Sequence, residues 1–105
     1  MILVQINFDF PVEMMGEALS QGVKGLADSI NNEPGFIAKI WIENDETAES
    51  GGIYLFEDQG NAERYVEMHR RRVETMGAAN ISVKYFQVND VLSEINHFVL
   101  KKNGA

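Results

Sequence analysis

The sequence predicts an α+β chain in which a four-stranded antiparallel sheet carries two helices on one face. Three observations predict it. Four stretches carry apolar residues at strand spacing, two carry them at helical spacing, and their order is strand, helix, strand, strand, helix, strand. With 105 residues, 45% hydrophobic and 24% charged, the chain suits one compact domain over residues 1–105.

Ile2, Val4, Ile6 and Phe8 alternate with Leu3, Gln5, Asn7 and Asp9 as a first strand, which Pro11 stops. Met15, Leu19, Val23, Leu26 and Ile30 recur at helical spacing, with Glu17, Ser20, Lys24 and Asp28 outside the stripe. This helix ends before "NNEPGF", where Pro34-Gly35 suits the centre of a type II turn. "FIAKIWIEN", Phe36 to Asn44, is the second strand. Alternation sets Ile37, Lys39, Trp41 and Glu43 on one face and Phe36, Ala38, Ile40 and Ile42 on the other.

"NDETAES" closes an acidic hairpin, and "GGIYLFED" is the third strand. Asp58 suits the N-cap of a second helix, whose stripe is Ala62, Tyr65, Val66, His69, Val73 and Met76, with Gly77 as its C-cap. "ISVKYFQV" is the fourth strand. Residues 91–105 form a short helix or docking arm, and its "KK" end is expected to fray.

This order is the split βαβ, ferredoxin-like pattern. Two helices cover only one face of such a sheet. Yet the strands carry apolar residues on both faces: Ile53 and Leu55 against Tyr54 and Phe56, Phe36 and Ile40 against Ile37 and Trp41. The open face needs another layer, and the simplest source is a second copy of the chain. A homodimer is therefore expected.

The net charge of −7 weighs against binding nucleic acid. With no cysteine there is no disulfide, thiolate nucleophile or cysteine-ligated metal. His69 and His97 are too few for a transition-metal site, and the acidic loop lacks the alternating ligands and central glycine of a calcium loop. No G-x-G-x-x-G or P-loop occurs, so no metal and no cofactor is expected. "MILVQINFDF" has no basic n-region and no run is long enough to span a bilayer, so no membrane partner is expected and the cytoplasm is the expected location.

"SINNEPGFIAKIWIE", "ESGGIYLFED" and "AERYVEMHRRR", together and in this order, resemble the YdhR-like monooxygenases of the dimeric α+β barrel superfamily. The resemblance covers nearly the whole chain. It implies a homodimer whose two sheets pack into a barrel, with a pocket in each subunit between sheet and helices. It also implies kinship with cofactor-independent oxygenases such as the antibiotic-biosynthesis monooxygenases, and a histidine where this chain has Asn7.

His69 lies on the apolar stripe of the second helix, either as a neutral core histidine or as a general base. Trp41 is either a core ring or the wall of a pocket for a planar aromatic compound. Lys39 and Glu43 share its face and either pair with each other, line that pocket or reach a dimer seam. Asn7 is either an amide tied near a strand end or a donor to an enolate or bound oxygen. His69, Trp41 and Asn7 are the catalytic candidates. Tyr54, Tyr65, Lys39 and Phe56 are the substrate-binding candidates. Trp41, Tyr54 and His69 are expected to border one pocket. Arg70, Arg71 and Arg72 read as a solvated patch, with Glu67 placed to pair with Arg71.

The leading function is a monooxygenase acting without cofactor on a small aromatic or polyketide-like compound. Such a substrate must itself give an electron to oxygen once deprotonated, and the protein supplies a base and a dry pocket. The alternatives are a non-catalytic module for a small hydrophobic ligand and a haem-binding or haem-degrading protein. The haem-degrading members of the superfamily use an Asn, a Trp and a His, matched here by Asn7, Trp41 and His69, although their tryptophan is expected on the third strand. An RRM-like RNA-binding reading ranks last, because "SGGIYLFED" holds no basic residue.

Overall fold

A computed structural model of the chain describes residues 1–98; residues 99–105, with the Lys101-Lys102 end of the expected arm, lie outside the described residues. One antiparallel sheet is built from β1 (Ile2–Asp9), β2 (Phe36–Asn44), β3 (Glu49–Phe56) and β4 (Ala79–Gln87), in the order β2-β3-β1-β4. Between them run α1 (Glu17–Gly22), α2 (Lys24–Ile30) and α3 (Gln59–Thr75), and α4 (Asp90–Ile95) follows β4. The ferredoxin-like order read from the sequence is the one observed.

The period-2 pattern of β1 explains which face the helices cover. Ile2, Val4, Ile6 and Phe8 are buried, and Phe56 and Tyr54 lie opposite Ile2 and Val4 on β3. From α3, Ala62, Tyr65, Val66, His69 and Val73 close over them. Each such apolar side chain contributes about 1.5–3 kcal/mol on burial. Local chemistry ends the elements as expected. The Phe36 N–H donates to the Glu33 carbonyl at 3.1 Å, with Gly35 at φ 74°, which is the type II turn at Pro34-Gly35. The Asp58 side chain accepts from the Asn61 N–H at 2.8 Å at the start of α3. Gly77, at φ 101°, follows its end.

Two expectations are corrected. The first helix is two helices, broken at Val23 (φ −120°, ψ 20°). Gly22 and Gly25 flank the break, and each weakens a helix by about 1 kcal/mol relative to alanine. Strand β2 also carries a bulge. Phe36 pairs with Phe56 while Ala38 pairs with Leu55, so β2 holds one extra residue there. The bulge turns Phe36 onto the helix face, where its ring meets Phe56 edge-on at 5.9 Å. Simple alternation places Phe36 opposite Trp41 instead.

The other sheet face carries Leu3, Ile53, Ile40, Ile42 and Phe86 by register. Ile40 is 59% exposed and Phe86 48%. Helix α4, capped by Asn89 accepting from the Leu92 N–H at 3.0 Å, adds exposed Val91, Leu92 and Ile95. Among the described residues, no helix is long and apolar enough to cross a membrane.

Candidate functional site

On the helix face, Lys39, Trp41 and Glu43 of β2 lie opposite Tyr54, Gly52 and Ser50 of β3. Gly52 makes the site possible. A Cβ there would sit 2.8 Å from Lys39 Cε and 2.8 Å from Tyr54 Cε1, so only glycine leaves room for the lysine stem to cross β3. The Lys39 ammonium nitrogen then lies 3.2 Å from the centroid of the Trp41 ring and 4.5 Å from that of Tyr54. Glu43 does not pair with it. Both Glu43 oxygens accept from the Gly16 N–H at 3.1 Å, at the start of α1.

His69 descends from α3. Its Nε2 shares a hydrogen bond of 3.0 Å with the Tyr54 hydroxyl, and Tyr65 stacks on its ring at 5.1 Å. Its Nδ1 is buried without a partner among the described residues. Lys39, Trp41, Tyr54 and His69 line one cavity with Phe8, Phe10, Leu19, Leu26, Val73 and Met76. Its volume is about 20 Å³, room for a single water. On the far side of Trp41 and Leu19 lies an open groove of about 420 Å³, bordered by Ser20, Val23, Lys24, Ala27 and Glu43.

Burial pulls the Lys39 amine down to about 7, helped by the Arg72 guanidinium. Burial likewise pulls His69 down to about 3, with Lys39 and then Arg72 adding repulsion. The imidazole is therefore neutral at physiological pH. Burial pushes the Tyr54 hydroxyl far up and Tyr65 up to about 12. Arg70 and Arg71 pair with Glu74 and Glu67 at 3.6 and 3.5 Å, as a solvated patch would. Arg72 departs from it, with its Nε buried and unpartnered among the described residues.

The depressed values at His69 and Lys39 fix the sign of a pH effect. Between about 3 and 6.5 for His69, and between about 7 and 10.5 for Lys39, the unfolded chain binds the proton more readily than the folded one. Stability therefore rises with pH through both windows. Denaturant unfolding should show a gain on the order of a few kcal/mol from pH 5 to pH 9, since a tenfold change in proton affinity is worth about 1.4 kcal/mol. A flat profile would contradict a half-buried amine without an anionic partner among the described residues.

Of the residues singled out in the sequence, the structure brings together His69, Trp41, Tyr54 and Lys39. It leaves out three. Asn7 faces the other side of the sheet, because Ile6 and Phe8 take the core, and its side-chain oxygen accepts from Gln5 at 3.2 Å. Phe56 is fully buried against Phe36 and Tyr65 and does not reach the cavity. Tyr65 stands behind His69 rather than lining the cavity. The Asn–Trp–His set of the haem reading is thus divided between two sheet faces. Phe10, Gly52 and Arg72 were missed. Only Gly52 carried a visible hint, as a glycine inside a strand.

The model of one family, described as "Putative mono-oxygenase ydhR", matches residues 3–99. No curated protein matches the chain.

Proposed function

The chain belongs to the ydhR mono-oxygenase family, and from that premise we propose that it oxidises a small phenolic aromatic or polyketide-like compound without a cofactor. One observation carries this reading. A half-buried amine with no carboxylate partner among the described residues stands beside a hydrogen-bonded tyrosine–histidine pair in a largely apolar pocket. A phenol entering from the groove gives its proton to the neutral Lys39 amine, and the ammonium so formed pairs with the phenolate. Tyr54, held by His69, donates to the developing enolate oxygen. The electron-rich substrate then reduces oxygen itself. An activated methylene gains one oxygen atom as a carbonyl, and its two hydrogens leave with the other atom as water.

Oxygen uptake with an anthrone-like polyphenol tests this. Uptake stoichiometric with the carbonyl product is expected. Tight binding without uptake would leave a ligand-binding module instead.

The same reading makes the protein a homodimer packed through its bare sheet faces, in the reducing cytoplasm that an acidic, cysteine-free chain suits. The exposed Ile40 and Phe86 support it. Such an interface should bury more than roughly 1,000 Å². Sedimentation at micromolar concentration should give a dimer, and Ile40→Glu a folded monomer. A monomeric parent protein would refute this.

A further inference from the structure

We propose that Lys39 is also a nucleophile that captures hydrophobic aldehydes and ketones as imines. The inference goes beyond the oxygenase reading and does not depend on it. It rests on how the amine is placed. The groups facing Lys39 come from its own strand, β3, α3, α1 and α2, and among the described residues none is an available anion. On its own strand, Glu43 is committed to the Gly16 N–H. From β3 come Tyr54 and the gap left by Gly52. Helix α3 presents a neutral imidazole and, through Arg72, a positive charge. From α1 and α2, Leu19 and Leu26 are apolar walls.

A lysine desolvated in an apolar pocket near another cation keeps its lone pair free at neutral pH, and that form attacks carbonyls. Its burial and the nearby guanidinium act in this direction together. The amine is not sealed away. The groove of about 420 Å³ is large enough for a ring-sized carbonyl compound, and Trp41 and Leu19 line both it and the cavity.

The step balances without any redox partner. The Nζ lone pair adds to the carbonyl carbon as the C=O π bond breaks. The oxygen takes a proton, with the Tyr54 hydroxyl at hand as donor. The two nitrogen protons then leave, one restoring the Tyr54 hydroxyl and one passing to the carbinolamine hydroxyl, which departs as water as the C=N bond forms. The ligand class is an aldehyde or unhindered ketone on an aromatic or aliphatic body, since Phe8, Phe10, Leu19, Leu26, Val73 and Met76 line the cavity around the amine.

The test uses the whole folded protein with limiting benzaldehyde and cyanoborohydride at pH 7, which fixes any imine as a secondary amine. Peptide mapping should find most of the first equivalent on Lys39, ahead of the α-amino group and of Lys24, Lys84, Lys101 and Lys102. That preference should vanish in guanidinium. Trp41 is the sole tryptophan, so its fluorescence should change with the adduct and stay constant in Lys39→Met. Lys39 left unlabelled, or labelled no faster folded than unfolded, would overturn the proposal. Oxygen uptake is not read, so this outcome and that of the oxygenase test stay separate.

Discussion

Gly51→Ala is expected to abolish the fold. Gly51 lies in β3, opposite Asn7 of β1 and Ile42 of β2. A Cβ there would fall 1.9 Å from the Ile6 carbonyl oxygen and 2.9 Å from its carbon. Both atoms belong to the backbone of a central strand, so no rotamer change relieves the clash. Either β1 and β3 part, and their ladder breaks, or the alanine is not accommodated. Overpacking that side chains can absorb costs about 1–3 kcal/mol. A clash with backbone should exceed that, against a total stability of roughly 5–15 kcal/mol. Circular dichroism and urea unfolding should show an unfolded chain or a loss above about 3 kcal/mol. Stability within about 1 kcal/mol of the parent would mean that β1 and β3 do not approach this closely. Gly52→Ala is the contrast. Its Cβ meets the Lys39 stem and the Tyr54 ring, which are side chains able to move. It should cost less stability but displace the amine from its place over Trp41.

The architecture was legible because it rests on periodicity. The alternation of Ile2, Val4, Ile6 and Phe8 and the stripe from Ala62 to Val73 each commit one face to the core, and the observed burial follows them. Asp58, Pro34-Gly35 and Gly77 act through local geometry alone, so their roles were legible as well. What alternation cannot see is a change of phase. The bulge between Phe36 and Ala38 moves one aromatic ring across the sheet without a mark in the sequence. Asn7 enters the candidate site through the haem analogy and the family position, although its strand period already sets it on the face of Gln5. The site chemistry was the least legible part. His69 looks like the base because histidine is the residue that ordinarily titrates near neutrality. The structure buries it deeply enough to take it out of that range, and the same burial brings Lys39 into it. Both effects arise from neighbours distant in the chain, among them Arg72 on α3 and Lys39 on β2.

Lys39→Met should therefore slow oxygen-dependent turnover by about 10²–10⁴, the usual worth of a general base. The variant should remain folded. Methionine matches the lysine stem in length and removes an amine whose protonation the fold disfavours, so stability at pH 7 should rise rather than fall. The pH profile assigns the base. If Lys39 accepts the proton, the rate of the parent protein climbs with pH and levels above about 7. A base at His69, held down to about 3, would leave the rate flat across the neutral range. His69→Gln keeps a hydrogen-bonding partner for Tyr54, so it should preserve the limb near 7 while lowering the plateau through poorer positioning. Lys39→Met should lose the limb altogether. A limb that survives in Lys39→Met and disappears in His69→Gln would return the base to the histidine. In that case the neutral amine has no part in deprotonation, and Lys39 acts only as the cation facing the bound phenolate.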